Sequence, residues 1–373
     1  MKKQILAVAV AGAFAVPAFA AADTSVTLFG QLQTQIVHHS GDSFENNGFR
    51  MHDAGGAGNA GDGANPNRIG VMVNHDLGNG LTALAKIEQN VTTTDGFNSG
   101  ARDQYVGLDG NFGRVMAGRM TSPYATAGKD PLNATFMQAR TAGGRLGPMG
   151  GFGNGSYLDR VLAYSNDFGP VSFTGAAILD NSDHSDTGYA MRLGFDAGPV
   201  EVYGAYQRAD DHEQANAQFG NSIQVPGFVN DLADLAEFDI PSLEFSTASK
   251  VQTAKIGADW STGPFRLVAE VEDYRIETDP TAMGESLGME STESKGNTYF
   301  LSGTYTMGRN DFVLNLGHTN RDNAGNVDYA ALGIKHNFSN RVMAYAGVSY
   351  SKDKAPADDV SNTAVGGGMR VSF

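Results

Sequence analysis

Residues 69–91 read IGVMVNHDLGNGLTALAKIEQNV. Ile69, Val71 and Val73 fall on alternate positions, Leu77-Gly78-Asn79-Gly80 interrupts them, and Leu81, Ala83, Ala85 and Ile87 resume the alternation. Thr82, Lys86 and Glu88 occupy places between. A period of two is a strand with one apolar and one polar face, and Asn-Gly between two such runs marks a tight hairpin. In a soluble sheet the apolar face would form the core. The opposite assignment suits this chain: a closed barrel in lipid, with Lys86 and Glu88 facing a water-filled lumen.

The rest of the chain repeats this unit. In residues 25–38, Val26, Leu28, Leu32 and Ile36 share one face, while Thr27, Gln31, Gln33 and Gln35 share the other. Three glutamines on a soluble core face would each need buried partners, a cost that a wet lumen removes. Further pairs are read at 102–122 around Asn111-Phe112-Gly113, 158–180 around Gly169-Pro170, and 188–208 around Gly198-Pro199. Others follow from Val251 onward around Gly263-Pro264, at 297–320, and at 327–351 around Ser339-Asn340, with a last strand at 363–373. Long polar segments are read at 40–67, 123–157, 210–250, with a short helix near 231–238, and 277–296.

The count is sixteen strands, with short turns alternating with long loops. The expected fold is all-β, a 16-stranded antiparallel transmembrane barrel. Strands of about ten residues cross a bilayer when tilted, and sixteen leave an open aqueous channel where eight would be filled by side chains.

Residues 1–20 are an address rather than structure. Lys2 and Lys3 precede twelve apolar residues, Pro17 breaks the run, and cleavage is expected after Ala20 or Ala22. The mature barrel domain is then 23–373. Removing the two lysines takes the net charge from −15 to −17. Such acidity argues against nucleic-acid partners. The absence of cysteine excludes a disulfide framework and thiolate chemistry.

Five pieces, in order, carry a family resemblance: SVTLFGQL from Ser25, DLGNGLTALAKIEQ from Asp76, YVGLDGNFGRVMAGR ending at Arg119, RVLAYSNDFGPVSF from Arg160, and the terminal GMRVSF. The mature chain resembles the Gram-negative general porins of the neisserial and comamonad type. The resemblance implies an outer-membrane channel for passive diffusion of ions and small hydrophilic solutes. It also implies a homotrimer in contact with lipid and lipopolysaccharide, and insertion by the barrel-assembly machinery through a signal ending in Phe373. It further implies a third loop, here 123–157, folded into the pore as a constriction.

In that loop Asp130-Pro131 reads as a helix start, an N-cap acid with Pro at the first helical position. Gly143-Gly144 would end the helix, and Leu132, Phe136 and Met137 would pack on the inner wall and turn Arg140 toward the lumen. The pore-lining candidates are Lys86, Glu88, Arg119, Lys129, Asp130, Arg140, Arg145 and Arg160. The resemblance implies acids on the loop facing arginines on the wall. Here Lys129, Arg140 and Arg145 stand against Asp130 alone, so the usual transverse field is in question. Arg119 and Arg160 have a second reading, as partners of loop backbone carbonyls. Basic groups at the narrowest point would favour anions weakly as salt screens the acidic outer loops, since the screening length is about 10 Å at 0.1 M.

Other motifs carry less. GGFGNG at 150–155 lacks the preceding strand and following helix of a phosphate loop. The histidines, His38-His39 included, show no ligand spacing, and no cofactor, metal site or catalytic nucleophile–base pair is expected. The competing readings are a substrate-specific channel, which would want an aromatic track beyond Phe29, an outer-membrane barrel enzyme, and a secreted soluble β-sandwich.

Overall fold

The computed structural model describes residues 23–42, 47–53, 66–94, 100–140, 145–155, 157–181, 186–219, 222–223, 243–244, 246–322, 325–354 and 359–373. The first strands are β1 (Thr24–Gly41), β2 (Gly48–His52), β3 (Arg68–Gly78), β4 (Leu81–Asn90), β5 (Ala101–Gly110) and β6 (Gly113–Thr121). Next come β7 (Tyr157–Phe168), β8 (Val171–Ile178), β9 (Gly188–Ala197), β10 (Val200–Asp210), β11 (Ser222–Ile223), β12 (Leu243–Glu244), β13 (Ser246–Thr262) and β14 (Phe265–Pro280). The last are β15 (Thr292–Met307), β16 (Asn310–Arg321), β17 (Gly325–Asn337), β18 (Val342–Lys354) and β19 (Asp359–Ser372). Short helices are α1 (Pro123–Ala127), α2 (Glu213–Phe219) and α3 (Ala282–Ser286).

Every neighbouring pair is antiparallel, and β1 closes the sheet on β19 from Gln31↔Ser372 to Gly41↔Asn362. The other edge of β1 is shared by β3 at its start and β2 further along, so these two segments form one stave and the barrel has sixteen. Between them the Asn67 side chain takes the place of a ladder residue. Its Oδ1 accepts from Gln33 N at 2.5 Å and its Nδ2 donates to Gln33 O at 2.9 Å. The small pair β11–β12 stands apart from the barrel sheet.

One end of the barrel is made of tight turns. Asn79 and Gly80 have φ of 53° and 75°, the two positive values that a type I′ hairpin requires. Gly169, Gly198 and Gly263 take φ near 65°, 65° and 53° directly before a proline, so the positive φ sits at the first turn position, as in a II′ turn. The first and last barrel strands begin and end there too: Thr24 pairs with His75 beside the first turn, and Ser372 N donates to Arg341 O beside the last. The longer connections gather at the other end.

The faces are inverted relative to a soluble protein. Val26, Leu28, Ile87 and Ile256 are 60–66% exposed, whereas Gln33, Gln35, Gln207 and Glu272 on inward positions are 0–1% exposed. Only a lipid surround makes so continuous an exposed apolar wall stable. Exposed Phe168, Phe195, Phe265, Tyr305, Phe312 and Phe338 lie at or within a few residues of the tight turns, and exposed Tyr189, Tyr299 and Tyr350 toward the other end. These are the two aromatic girdles of a membrane-spanning barrel. Among the described residues no helix is long and apolar enough to cross a membrane.

Three local expectations change. Within 40–67, residues 48–52 form β2 and are not loop. The strand expected from Val251 begins at Ser246. The acidic segment 277–296 is strand at both ends, because β14 continues to Pro280 and β15 starts at Thr292, with α3 between them. There Glu277 and Glu293 lie opposite each other and Arg275 pairs with both, which removes the like-charge penalty that made the segment read as loop. The helix expected near 231–238, residues 1–22 and Gly143-Gly144 lie outside the described residues.

Candidate functional site in the channel lumen

The segment joining β6 to β7 lies inside the barrel. Leu132, Phe136, Met137, Ala139 and Leu146 are 0% exposed and share one apolar cluster with inward-facing Val37, Val268, Phe300, Val313, Tyr329, Ala331 and Tyr345. The wall accommodates them by lacking side chains. A Cβ on Gly347 would come within 2.3 Å of Met137 Sδ, and one on Gly317 within 2.0 Å of Leu146 Cδ1. Gly333 is directly opposite Gly347 in the ladder, so adjacent strands present a flat floor to the segment.

Polar groups fasten the same surface. Tyr329 donates to Met137 O at 2.5 Å, Lys335 Nζ to Pro131 O at 3.1 Å, and Arg370 Nη2 to Ala134 O at 3.0 Å. Gln35 Oε1 accepts from Phe136 N at 3.2 Å and from Tyr345 OH at 2.8 Å. The glutamines on the first strand therefore hold backbone rather than face open water.

Asp130 organises the segment without starting a helix. Its carboxylate accepts from Leu132 N at 2.9 Å, Ala139 N at 2.6 Å, Arg140 N at 3.1 Å and Asn315 Nδ2 at 2.8 Å. The expected helix from Asp130 is replaced by successive turns, because Ala134 takes φ 60° and ends any helical path. The helix that does form is α1. Ser122 Oγ accepts from Ala125 N at 3.2 Å, with Pro123 opening the helix. Ser-Pro and Asp-Pro carry the same capping signal, and local sequence does not rank them.

Arg140 is the main correction. It does not face the lumen but is 1% exposed, with Nε on Glu270 Oε1 at 2.9 Å and Nη1 on Glu272 Oε2 at 3.0 Å. Lys255 lies 3.8 Å from Glu272 and 4.1 Å from the centre of the Tyr124 ring. Tyr203 donates to Glu270 Oε2 at 2.8 Å, Tyr124 donates to Glu272, and Asn154 Nδ2 donates to Glu272 at 2.8 Å. Two acids and two bases thus close a buried knot between the loop and the wall. The two carboxylates hold the Arg140 proton, raising its pKa further despite burial, and burial beside Glu272 pushes the Tyr124 phenol well up. Lys255, Glu270 and Glu272 alternate with apolar residues along β13 and β14, which marks a polar face but not an anchor. The available signal was two glutamates two apart on one strand, with a lysine on the strand beside them.

Halfway round the barrel, β3 to β5 carry a wetter cluster. Lys86 Nζ lies 2.7 Å from both Glu88 and Asp103, Arg102 pairs with Glu88, and Arg68 stands 3.8 Å from Glu88. Lys86 and Glu88 are therefore on the inner face but paired. Lys129 is held by Glu201 at 2.8 Å, and Arg145 Nη1 donates to Ser351 at 2.8 Å.

Arg119 and Arg160 are not brought to the pore wall. Arg119 shares the outward parity of exposed Ala117, and it reaches Asp159 at 2.6 Å and Ala101 O at 3.2 Å. Arg160 sits at a bulge with φ 57°, pairs with Glu213 of α2 and donates to Leu179 O at 3.2 Å. Both bind carbonyls at the long-loop rim, the second of their two sequence readings.

GGFGNG serves packing: Phe152 is buried against His212, and Asn154 belongs to the knot. His212 Nε2 donates to Ile178 O at 3.1 Å and its Nδ1 accepts from Gln214 N at 3.2 Å, which is the neutral tautomer. Burial lowers its pKa from the ordinary value. Among the described residues no three potential metal ligands gather.

Comparison with known proteins fits this geometry. A family model described as Gram-negative porin matches residues 7–356. The chain belongs to this family. The porin resides in the outer membrane of a Gram-negative cell, and its barrel is a channel for passive diffusion of solutes. It is 24% identical to the major outer membrane protein P.IB of Neisseria gonorrhoeae, covering 100% of each chain. Among solved structures, the anion-selective porin from Comamonas acidovorans is 20% identical, with a TM-score of 0.68 over 94% of this chain and 100% of the other. An outer membrane protein of Vibrio cholerae in its trimer form is 13% identical, with a TM-score of 0.61 over 94% and 99%. With this assignment the tight turns face the periplasm and the long loops the exterior.

Proposed function

We propose that residues 123–157 are the constriction of this porin and set its solute cut-off. The supporting observation is the burial of Leu132, Phe136, Met137 and Leu146 against the inner wall, fastened by the Arg140 knot. A sixteen-stranded barrel is otherwise wide open. Replacing residues 130–153 by a short Gly-Ser linker is expected to raise single-channel conductance and admit larger sugars while the barrel still assembles. A folded deletion variant with unchanged conductance and cut-off would contradict the proposal.

Transport of this kind needs no catalytic group, and a purely diffusive role is the reading the family supports. We infer a homotrimer on the strength of the trimeric neighbour. Unheated protein in mild detergent should run as a compact trimer and shift to monomer on boiling, and a monodisperse monomer under gentle extraction would contradict this. Phe373 is read as the signal for the barrel-assembly machinery. Its N donates to Gly30 O at 3.0 Å, Gly30 N donates back at 3.1 Å, and its ring lies over Gly30 on the outer face. Deleting Phe373 should leave unassembled protein in the periplasm. Residues 1–20 are read as the signal peptide that delivers the chain there, and lipopolysaccharide as the outer-leaflet neighbour.

A further inference from the structure

At the periplasmic end, a cavity of about 480 Å3 lies on the lumen side of the turn between β17 and β18. Arg341 and Arg370 line it, together with the amides of Gln31, Asn337 and Asn340 and the hydroxyl of Ser372. No carboxylate lines it, in a chain with 41 acidic residues against 26 basic ones.

Arg370 points inward from β19 and spends its fork on neutral acceptors. Nε donates to Gln33 Oε1 at 2.7 Å, and Nη2 to Ala134 O at 3.0 Å and Asn133 O at 3.4 Å. Among the described residues neither Arg370 nor Arg341 has a carboxylate partner, whereas the lumen cations Lys86, Lys129, Arg140, Arg192 and Arg266 all do. The negative groups nearby are engaged elsewhere. Asp311 accepts from Asn337 at 3.0 Å and lies 3.7 Å from Lys335, and the terminal carboxylate of Phe373 accepts from Gly30.

A guanidinium stays charged at any working pH, and its planar donors match carboxylate and phosphate oxygens. Two such groups beside the Asn340 amide make a binding surface for oxyanions and a poor one for cations, while Gln31, Asn337 and Ser372 already donate to Pro66 O, Asp311 and Gln31 Oε1. We propose that this cavity is an oxyanion subsite at the periplasmic mouth, where the carboxylate or phosphate group of a permeating solute is held between Arg341 and Arg370. The inference rests on the reading of the barrel as a diffusion channel and adds a solute class to it. It lies on the periplasmic side of the loop, to which Arg370 is bonded at Asn133 O and Ala134 O, so Arg341 carries the test that is independent of the loop's role.

The test is recording from the full-length protein in a planar bilayer with chloride as carrier, adding inorganic phosphate, and separately acetate, to one side at a time. Phosphate or acetate on the periplasmic side should lower the chloride current saturably at millimolar levels, and addition to the other side should do so more weakly. Arg341→Gln, which has no bond to the loop, should raise the half-saturating concentration about tenfold with the open conductance little changed, and Arg370→Gln at least as much. A non-saturating response in the wild type, or an unaltered half-saturation in Arg341→Gln, would overturn the subsite. Absence of any conductance before phosphate is added would instead overturn the channel reading on which it rests.

Discussion

Two stretches of inner wall are built to opposite rules. From β13 to β19 the inward face carries Val268, Phe300, Val313, Ala331 and the glycines 317, 333 and 347, covered by apolar side chains of the loop. Among the described residues its fully buried charges are confined to one knot of Arg140, Lys255, Glu270 and Glu272, while Arg266, Lys335 and Arg370 lie partly exposed on the same face. From β3 to β5 the inward face carries Arg68, Lys86, Arg102 and Asp103, each partly exposed, in a chain of ion pairs around a buried Glu88. The first surface behaves as the core of a soluble domain, the second as the wall of a wet channel. Inward and polar are therefore not the same property in this barrel. The loop divides the lumen into a dry side that fixes its position and a wet side that meets solutes.

The largest expected effect breaks the dry side. Arg140→Ala leaves two buried glutamates facing only Lys255, and removing one partner of a buried pair costs about 3–5 kcal/mol. The loop should detach while the barrel, held by its ladder, persists. Single-channel conductance should rise and the current grow noisy, and Arg140→Lys should recover part of the loss. A smaller effect is expected from Gly347→Val, which pushes a side chain into Met137. Overpacking of this kind costs about 1–3 kcal/mol, and conductance should rise less than in Arg140→Ala.

On the wet side the comparison predicts a different kind of change. Glu88→Gln removes a negative group among three cations without touching the loop. Its reversal potential in a salt gradient should move toward anion preference with the unit conductance nearly kept. A large conductance change would mean that this wall is also a packing surface.

The smallest effect concerns His212, which is neutral, buried and clips Phe152 at the end of the loop. Because its folded pKa lies below the ordinary 6.5, its contribution is complete above that pH and is lost as pH falls through it toward the folded value. Hydrogen exchange at residues 149–155 should quicken below about pH 6 in the wild type. The same change in His212→Gln would remove His212 as the cause.

Much of this was readable from residues alone. Alternation in 25–38 and 69–91, with Asn-Gly and Gly-Pro turns, marked the staves and which face of each meets lipid, because period and turn chemistry are local. The strand extensions at 246–250, 277–280 and 292–296 were hidden, because Glu277 and Glu293 read as loop until Lys250 and Arg275 are brought across from neighbouring strands. The site was harder still. Leu132, Phe136 and Met137 announced a packed loop, but the path of Arg140 into the wall depends on Glu270, which is 130 residues away. Long-range charge pairing of that kind has no local signature. Arg160 misled for a related reason: a bulge at β6–β7 changes which side chains point in, and one extra residue is invisible in an alternation count, whereas Arg119 keeps the parity of Ala117 and was placed at the pore by the resemblance alone.

The central claim is that the loop lies on the glycine floor of β17 and β18 inside the barrel. The chain contains no cysteine, so a single engineered pair can be read without background. Met137→Cys with Gly347→Cys places thiols at two positions that touch, a Cβ on Gly347 coming within 2.3 Å of Met137 Sδ, and a disulfide between them would report that contact. The account predicts that the double variant, assembled in outer membranes and mildly oxidised, forms this bond in most molecules and keeps near wild-type conductance. An assembled double variant that stays reduced while both thiols react readily with a soluble reagent would contradict it.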